Sequence, residues 1–224
     1  MIINNLKLKR NHLDSTYNKG LTLIELIVVI SIFLVISSTV IFNYGSFRSS
    51  VSMQNIADDI AMSIRKAQSF AIGARAAVGG DFSESYGMHF STDTTTTDPL
   101  NASTKSFLMF YTSPSNKYYT VTGTGACGGS TTCLEAFSIS TADKIKEIDV
   151  TINGTVTVEP AGSTLDIIFS RPDPRAYFCY RATMASSCVS NISSVSIIIS
   201  NGQVSPNEKT KTISVQNTGQ ISIQ

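Results

Sequence analysis

The chain has little of what most soluble enzymes and nucleic-acid-binding proteins are built from. It contains no tryptophan and only two histidines, His12 and His89, and charged residues make up 15% of its 224 residues. The formal net charge of +1 argues against general nucleic-acid binding, which uses a basic surface. The sequence also lacks the Gly-x-x-x-x-Gly-Lys loop of nucleotide sites and the Gly-x-Ser-x-Gly turn of hydrolases. We therefore assign no catalytic residue and expect no cofactor and no metal.

Cysteine is scarce as well. The four cysteines all follow residue 42 and form two local pairs, Cys127 with Cys133 and Cys179 with Cys188. Four cysteines allow three connectivities. In an exported domain, an oxidising environment favours two short-loop disulfides, one within each pair. A metal site is the alternative, but neither spacing is the Cys-x-x-Cys of zinc and redox motifs.

One long apolar run is present, from Leu21 to Phe42. As a helix rising about 1.5 Å per residue, a run of roughly 22 residues spans the ~30 Å hydrocarbon core of a bilayer. Glu25 lies inside this run. A carboxylate in a membrane segment costs free energy, so its presence there indicates a function.

A basic, polar segment precedes the run. Its charged residues are Lys7, Lys9, Arg10 and Lys19, against the single acid Asp14. A positive flank favours retention in the cytoplasm, so the bulk of the chain should be exported. An ordinary signal peptide has a shorter apolar core followed by a small-residue cleavage site, whereas here the nearest small residue, Gly20, precedes the core. A signal anchor with an incidental interfacial glutamate is the alternative interpretation.

The stretch from Gly20 to Glu25, followed by the apolar run, resembles the N-terminal motif of type IV pilin-like proteins. These are the type IV pilins and the pseudopilins of type II secretion and competence systems. The resemblance implies that prepilin peptidase cuts after Gly20 and methylates the new N-terminus at Leu21. Glu25 then corresponds to the family's fifth-position glutamate. The implied partners are prepilin peptidase, other pilin or pseudopilin subunits and the inner-membrane assembly platform.

Physical chemistry gives Glu25 a role of its own. Cleavage after Gly20 creates a positive amine, and a carboxylate one helical turn away, roughly 6 Å along the axis, can neutralise it. The same carboxylate can instead neutralise the amine of a neighbouring subunit. Pairing between subunits would set their stagger, which predicts an assembly role for Glu25.

Beyond the membrane segment, the helical pattern becomes one-sided. Apolar residues recur every three or four positions at Met53, Ile56, Ile60, Ile64, Ala67, Ala71 and Ala74. This pattern predicts an amphipathic continuation of the helix over residues 43–79, packed on a globular domain and ended by Gly79 and Gly80. The predicted organisation is a cleaved leader at 1–20, a transmembrane and assembly helix at 21–42, this continuation, and a β-rich head at 80–224.

Residues after Gly80 predict short strands separated by polar turns. The Asn153-Gly154 pair predicts a tight hairpin. The fold class is therefore α+β. The strand at 86–90 soon after the helix and the closing pair at 212–215 and 220–223 resemble the H-type pseudopilins and minor type IV pilins. This resemblance implies a long N-terminal helix packed on an antiparallel, β-sandwich-like head. The predicted strands are 86–90, 106–111, 118–121, 135–140, 148–152, 155–158, 165–169, 177–180, 195–199, 212–215 and 220–223.

Residues 171–181 have a composition that is compatible with binding a nucleic acid. Three arginines alternate with aromatic residues that can stack on bases. The arginines are Arg171, Arg175 and Arg181, and the aromatic residues are Tyr177, Phe178 and Tyr180. Some minor pilins of the resembled group bind DNA during natural transformation. The alternative is a proline-containing loop with solvated arginines and buried aromatic residues.

The sequence thus favours a non-enzymatic minor pilin or pseudopilin, assembled through its helix into a type IV pilus or secretion pseudopilus. It predicts a single-pass inner-membrane protein in contact with lipid, with the N-terminus cytoplasmic and the head extracytoplasmic, contacting sister subunits, secreted cargo or DNA. Loss of the leader removes four of 17 basic and one of 16 acidic residues, which changes the formal charge from +1 to −2. A monomeric, membrane-anchored binding domain is the rival function.

Overall fold

The computed structural model describes residues 20–73, 75–76, 82–92, 103–119, 132–158, 162–182 and 186–224. The chain divides into two compact units, residues 1–45 and 46–224. One helix, α1, is followed in the described residues by ten strands. The bounds are α1 Leu23–Ile72, β1 Ser85–Ser91, β2 Ser106–Thr112, β3 Cys133–Ser138, β4 Lys144–Ile152, β5 Thr155–Val158, β6 Thr164–Ser170, β7 Asp173–Arg181, β8 Ile192–Ser200, β9 Thr210–Gln216 and β10 Ile221–Ile223.

Helix α1 is 50 residues long and begins with the apolar run. Within the described parts of the chain, it is the one helix long and apolar enough to cross a membrane. None of its most apolar 18-residue window is buried. The first unit therefore presents apolar side chains on every side of the helix and needs an apolar environment to cover them.

Helix α1 ends at Ile72, earlier than the predicted boundary at residue 79. Gly73 N donates to Ser69 O at 2.8 Å, and a Cβ on Gly73 would lie only 2.8 Å from that same oxygen. Because glycine lacks a Cβ, the chain can turn away from the helix axis at this position. Gly79 and Gly80, the predicted terminators, lie outside the described residues.

The strands form two five-stranded antiparallel sheets, which confirms the predicted α+β architecture. Sheet A has the order β3-β2-β1-β6-β7, and sheet B has the order β10-β9-β8-β4-β5. The predicted hairpin joins β4 to β5 through Asn153 and Gly154, whose φ angles are 50° and 81°. Positive φ at both central positions is the geometry for which Asn-Gly is selected.

Ten of the eleven predicted strands are present, with shifted ends. The prediction of a strand at 118–121 is wrong for its described part, because Tyr118 and Tyr119 are not in a strand. The backbone N of Tyr119 donates to the side chain of Asp166 at 3.2 Å instead of to a neighbouring strand. Residues 120 and 121 lie outside the described residues.

One hydrophobic core lies among the C-terminal part of α1 and one face of each sheet. The predicted helix stripe supplies Met53, Ile60, Ile64, Ala67 and Ala71, with Ile56 partly buried, and Ala57 and Ala61 join it. Ala74, also predicted to lie on the stripe, is outside the described residues. A smaller core covers the opposite face of sheet A and contains Leu108, Phe110, Tyr119 and Ile168.

Candidate functional site

The peptide bond between Gly20 and Leu21 lies in exposed, non-helical chain just before α1. The Leu21 side chain is 75% exposed, and among the described residues beyond the chain neighbours no heavy atom lies within 4 Å of the position a Gly20 Cβ would occupy. An enzyme can therefore reach this bond without unfolding any described element. The sequence predicts cleavage at this same bond.

Glu25 folds back on the start of the helix. Its Oε2 accepts hydrogen bonds from Thr22 N and Thr22 Oγ1, both at 2.8 Å, while Glu25 N donates to Thr22 Oγ1 at 3.3 Å. This is a capping box, in which each residue satisfies a backbone N–H that the first helical turn leaves unpaired. The arrangement holds the carboxylate beside the nitrogen of the residue that follows Leu21.

Sequence reasoning missed the capping box, although a local signal for it exists. The spacing Thr22-x-x-Glu25 is the capping-box pattern, and it stands directly before the apolar run. The prediction for Glu25 depends on its position in the membrane segment and on the resemblance, with no use of Thr22. A check of the first helical turn for capping residues would have found this pair.

Three hydroxyl groups in the apolar part of α1 form hydrogen bonds within the helix. The hydroxyls of Ser31, Ser38 and Thr39 donate to the backbone oxygens of residues 28, 35 and 36 at 2.8 to 2.9 Å. Each hydroxyl is therefore satisfied within the helix, which apolar surroundings require because they offer no hydrogen-bond partner. This surface suits apolar surroundings such as lipid or another apolar helix.

The cysteines contribute covalent links. Cys179 on β7 is bonded to Cys188, nine residues further along the chain, as the spacing predicts. Cys133 is disulfide-bonded too, and Cys127, its predicted partner, lies outside the described residues. In the part of the chain that the structure describes, no group of three or more His, Cys, Asp or Glu side chains is arranged to hold a metal ion.

Two of the three arginines predicted as a nucleic-acid surface are exposed, and both hold local structure. Arg171 Nη2 donates to Phe82 O. Arg175 Nε donates to Asp173 Oδ2 at 2.5 Å. The Arg175 backbone N–H, followed by its side chain, lowers the pKa of Asp173. Neither arginine is committed to a buried partner.

The third arginine, Arg181, is buried, so the prediction that it lies on an exposed nucleic-acid surface is wrong. Arg181 is 5% exposed, and its Nη2 donates to Asp166 Oδ2 at 3.2 Å and to Tyr119 O at 3.4 Å. His89, fully buried, contacts the other oxygen of Asp166 through Nδ1 at 2.5 Å. Asp166 thus ties together β1, β7 and the segment around Tyr119. Arg181 belongs to this interior cluster and does not form part of a surface for DNA.

The three aromatic residues of the same stretch divide between surface and core. Phe178 and Tyr180 are 6% and 2% exposed, whereas Tyr177 is half-exposed. The ammonium of Lys117 lies 3.8 Å from the centre of the Tyr177 ring, a cation–π contact that sequence spacing did not indicate. The predicted stacking surface is therefore reduced to one ring, already covered by a lysine.

A groove of about 750 Å³ separates α1 from the edge strand β3. Ile56, Met62, Phe107 and Phe137 give it an apolar lining, and Lys66 on its rim pairs with Glu135. Asp59 and Lys66 are the charged side chains of its lining.

Comparison with known families gives one match. Residues 15–41 match the family model of the prokaryotic N-terminal methylation motif, which includes Gly20, Leu21 and Glu25. The match supports a type IV pilin-like protein that prepilin peptidase processes, a group that is generally structural and membrane-anchored. No curated protein and no solved structure matches the chain.

Proposed function

We propose that this chain is a minor pilin or pseudopilin of the H-type, a non-enzymatic subunit that assembles through α1 into an envelope-spanning filament or its tip. The geometry of residues 20–25 carries the proposal. An exposed Gly20–Leu21 bond is followed at once by a helix start that holds the Glu25 carboxylate beside the future N-terminus. The comparison supports the N-terminal part of the proposal and does not extend to the head.

The proposed organisation follows the predicted boundaries, with one change. Residues 1–20 are a leader that stays in the cytoplasm, and residues 21–42 cross the inner membrane. The amphipathic continuation ends at Ile72, and the head faces outward. The basic leader and the exposed apolar helix support this orientation.

Glu25 supplies the proposed assembly contact. Its Oε2 is engaged by Thr22, while Oε1 accepts no hydrogen bond from any residue that the structure describes. Hydrolysis of the Gly20–Leu21 bond leaves an amine on Leu21, and methylation keeps its positive charge. Oε1 is then the acceptor for that amine or for the amine of the next subunit. In apolar surroundings such a pair is strong, because little water screens it.

Processing gives the first test. Gly20→Ala should leave an uncut precursor of full mass, whereas wild type should yield a mature chain that begins at methylated Leu21. Gly45→Ala is the matched control, since a Cβ at either glycine would meet no described heavy atom within 4 Å apart from its chain neighbours and the backbone of α1. Intact-mass spectrometry of the membrane fraction reads the result, and normal cleavage of the Gly20 variant would contradict the proposal.

Assembly gives the second test. Glu25→Ala should be cut normally but should be incorporated poorly into filaments, as measured by cross-links between mature chains in sheared or membrane fractions. The rival function, a monomeric anchored binding domain, predicts no cross-links even in wild type. A DNA-binding role predicts instead a salt-dependent DNA shift that is lost in a Lys117→Ala/Arg175→Ala variant.

A further inference from the structure

Residues 201–209 connect β8 to β9, and we name them the β8–β9 loop. Hydrogen bonds within the loop fix its conformation. Asn201, 6% exposed, holds it closed: its Oδ1 accepts from Gln203 N and Lys209 N, both at 3.2 Å, and its Nδ2 donates to Asn207 O at 3.1 Å. Asn207 N also donates to Val204 O at 3.0 Å. The loop therefore has one defined shape.

The β8–β9 loop is fastened to the first turns of α1 in the second unit. Lys209 Nζ donates to Ser46 O at 3.0 Å, to Ser46 Oγ at 2.7 Å and to Ser50 Oγ at 2.9 Å. Asn201 Nδ2 reaches Ser49 Oγ at 3.4 Å. These contacts place the loop at the end of the head where the chain enters from the apolar segment.

An apolar side chain stands at the tip of this loop. Val204 is 83% exposed, the largest value among the large apolar residues described in 46–224. The hydrogen bonds of Asn201 and Asn207 fix the backbone around this side chain. A single exposed apolar side chain is ordinary on a protein surface, so Val204 gains significance only together with the charges around it and its place near the apolar segment.

Cations surround the same end of the head. The strand register places Lys144 of β4 opposite Ser200 and Lys211 of β9 opposite Ile199, both at the end of β8 that leads into the loop. The described cations of this end are Arg48, Lys105, Lys144, Lys146, Lys209 and Lys211, and the carboxylates are Asp143, Glu147 and Glu208. A hydrogen bond from Ser200, followed by Lys146, lowers the pKa of Glu208. The cations outnumber the acids, so this end is positive.

Chain length limits the distance of this end from a membrane. Ser46 follows Phe42, the last residue of the apolar run, by four residues, which reach at most about 14 Å even when fully extended. We propose that the β8–β9 loop and its cations rest on anionic lipid headgroups of the bilayer that holds α1, with Val204 entering the interfacial layer. The inference rests on the proposed membrane anchoring. Positive charge beside an exposed apolar side chain is the combination that binds anionic bilayer surfaces.

The absence of tryptophan from the chain allows a direct test. Val204→Trp places a single tryptophan at the loop tip of the full chain, which is reconstituted in vesicles of phosphatidylcholine alone or mixed with phosphatidylglycerol. In the anionic vesicles we expect a blue-shifted emission and loss of fluorescence when the lipids carry brominated acyl chains. In the neutral vesicles we expect a solvent-like emission with little quenching.

Two further variants test whether the emission change depends on the position of the tryptophan and on the lysines. Tyr177→Trp is the control position. Tyr177 is half-exposed on β7 and lies near Asn217, which follows β9 at the end opposite the β8–β9 loop. A tryptophan there should show no bromolipid quenching in either vesicle. Lys144→Gln/Lys211→Gln in the Val204→Trp chain should abolish the blue shift in anionic vesicles. Neither lysine holds the loop, so its shape should persist.

Vesicle flotation separates this inference from the membrane anchor. A Val204→Trp chain that floats with both vesicles, yet keeps a solvent-like and unquenched tryptophan emission in the anionic ones, would overturn the lipid contact and leave the anchor intact. A chain that floats with neither would overturn both. Equal quenching in neutral and anionic vesicles would contradict the role of the cations.

Discussion

The two parts of α1 share one helix but differ in what surrounds them. In residues 21–45 the large apolar side chains are exposed on every side, and Ile32, for example, is 55% exposed. In residues 46–72 the apolar side chains are concentrated on one stripe, where Ile64 is fully buried. The second part packs against the chain's own sheets, whereas the large apolar side chains of the first part are exposed.

The difference shows that the pattern of apolar residues, rather than helix propensity, decides the role of each part. Four alanines on the buried stripe, at positions 57, 61, 67 and 71, are at most 1% exposed. Small side chains let the helix backbone lie close to the sheets, where bulky residues would hold it away. The first part has bulky residues all round, which suits lipid and neighbouring helices.

The largest expected effect concerns charge in the interior of the head. Asp166→Asn should lower the free energy of unfolding by about 3 to 5 kcal/mol, because Arg181 would remain buried without its carboxylate partner. Chemical denaturation of the full chain in detergent, followed by near-ultraviolet circular dichroism, measures the loss. Asp173→Asn, which removes an exposed carboxylate, is the matched control and should leave the midpoint unchanged. Similar midpoints for both variants would contradict the structural role of Asp166.

A matched pair of isoleucines sharpens the contrast within α1. Ile64→Ala should destabilise the head by about 2 to 5 kcal/mol, because it leaves a cavity in the shared core. Ile32→Ala should change head stability by less than about 0.5 kcal/mol, since the Ile32 side chain is 55% exposed. The same denaturation experiment reads both variants. Equal destabilisation would break the distinction between the two parts of the helix.

The smallest expected effect is a pH dependence at the β8–β9 loop. The Ser200 hydrogen bond and then Lys146 hold the pKa of Glu208 below its ordinary value of 4.5. Because the folded pKa is depressed, the contribution of Glu208 to stability is complete above the unfolded value and is lost as the pH falls through the folded one. The melting temperature of wild type should therefore fall slightly more than that of Glu208→Gln below pH 4.5. Parallel melting curves would remove this contribution.

Local patterns in the sequence predicted the parts of the fold that short-range physics decides. The apolar run, the buried stripe of α1 and the Asn153-Gly154 hairpin each depend on residues close together in the chain. The helix end was misplaced because two adjacent glycines, Gly79 and Gly80, are a stronger helix-ending pattern in a sequence than the single Gly73 that follows α1.

Contacts between residues far apart in the chain could not be predicted from the sequence. Arg181 was predicted to lie on the surface, but the pairing of β7 with β6 brings it to Asp166, fifteen residues earlier in the chain. Likewise, nothing local joins Lys209 to Ser46, or Lys117 to the Tyr177 ring. The order in which strands and helix pack determines these contacts, whereas alternating apolar residues indicate only which face of a strand is buried.

The central claim is that Glu25 acts through its charge on an amine created by processing, beyond its capping of α1. Glu25→Gln tests it most directly, because glutamine keeps the hydrogen bond of the capping box but has no charge. With a cysteine placed at exposed Ile24, we predict normal cleavage after Gly20 and loss of cross-links between mature chains, as in Glu25→Ala. Cross-linking of Glu25→Gln at the wild-type level, with Glu25→Ala alone defective, would show that capping suffices and would contradict the account.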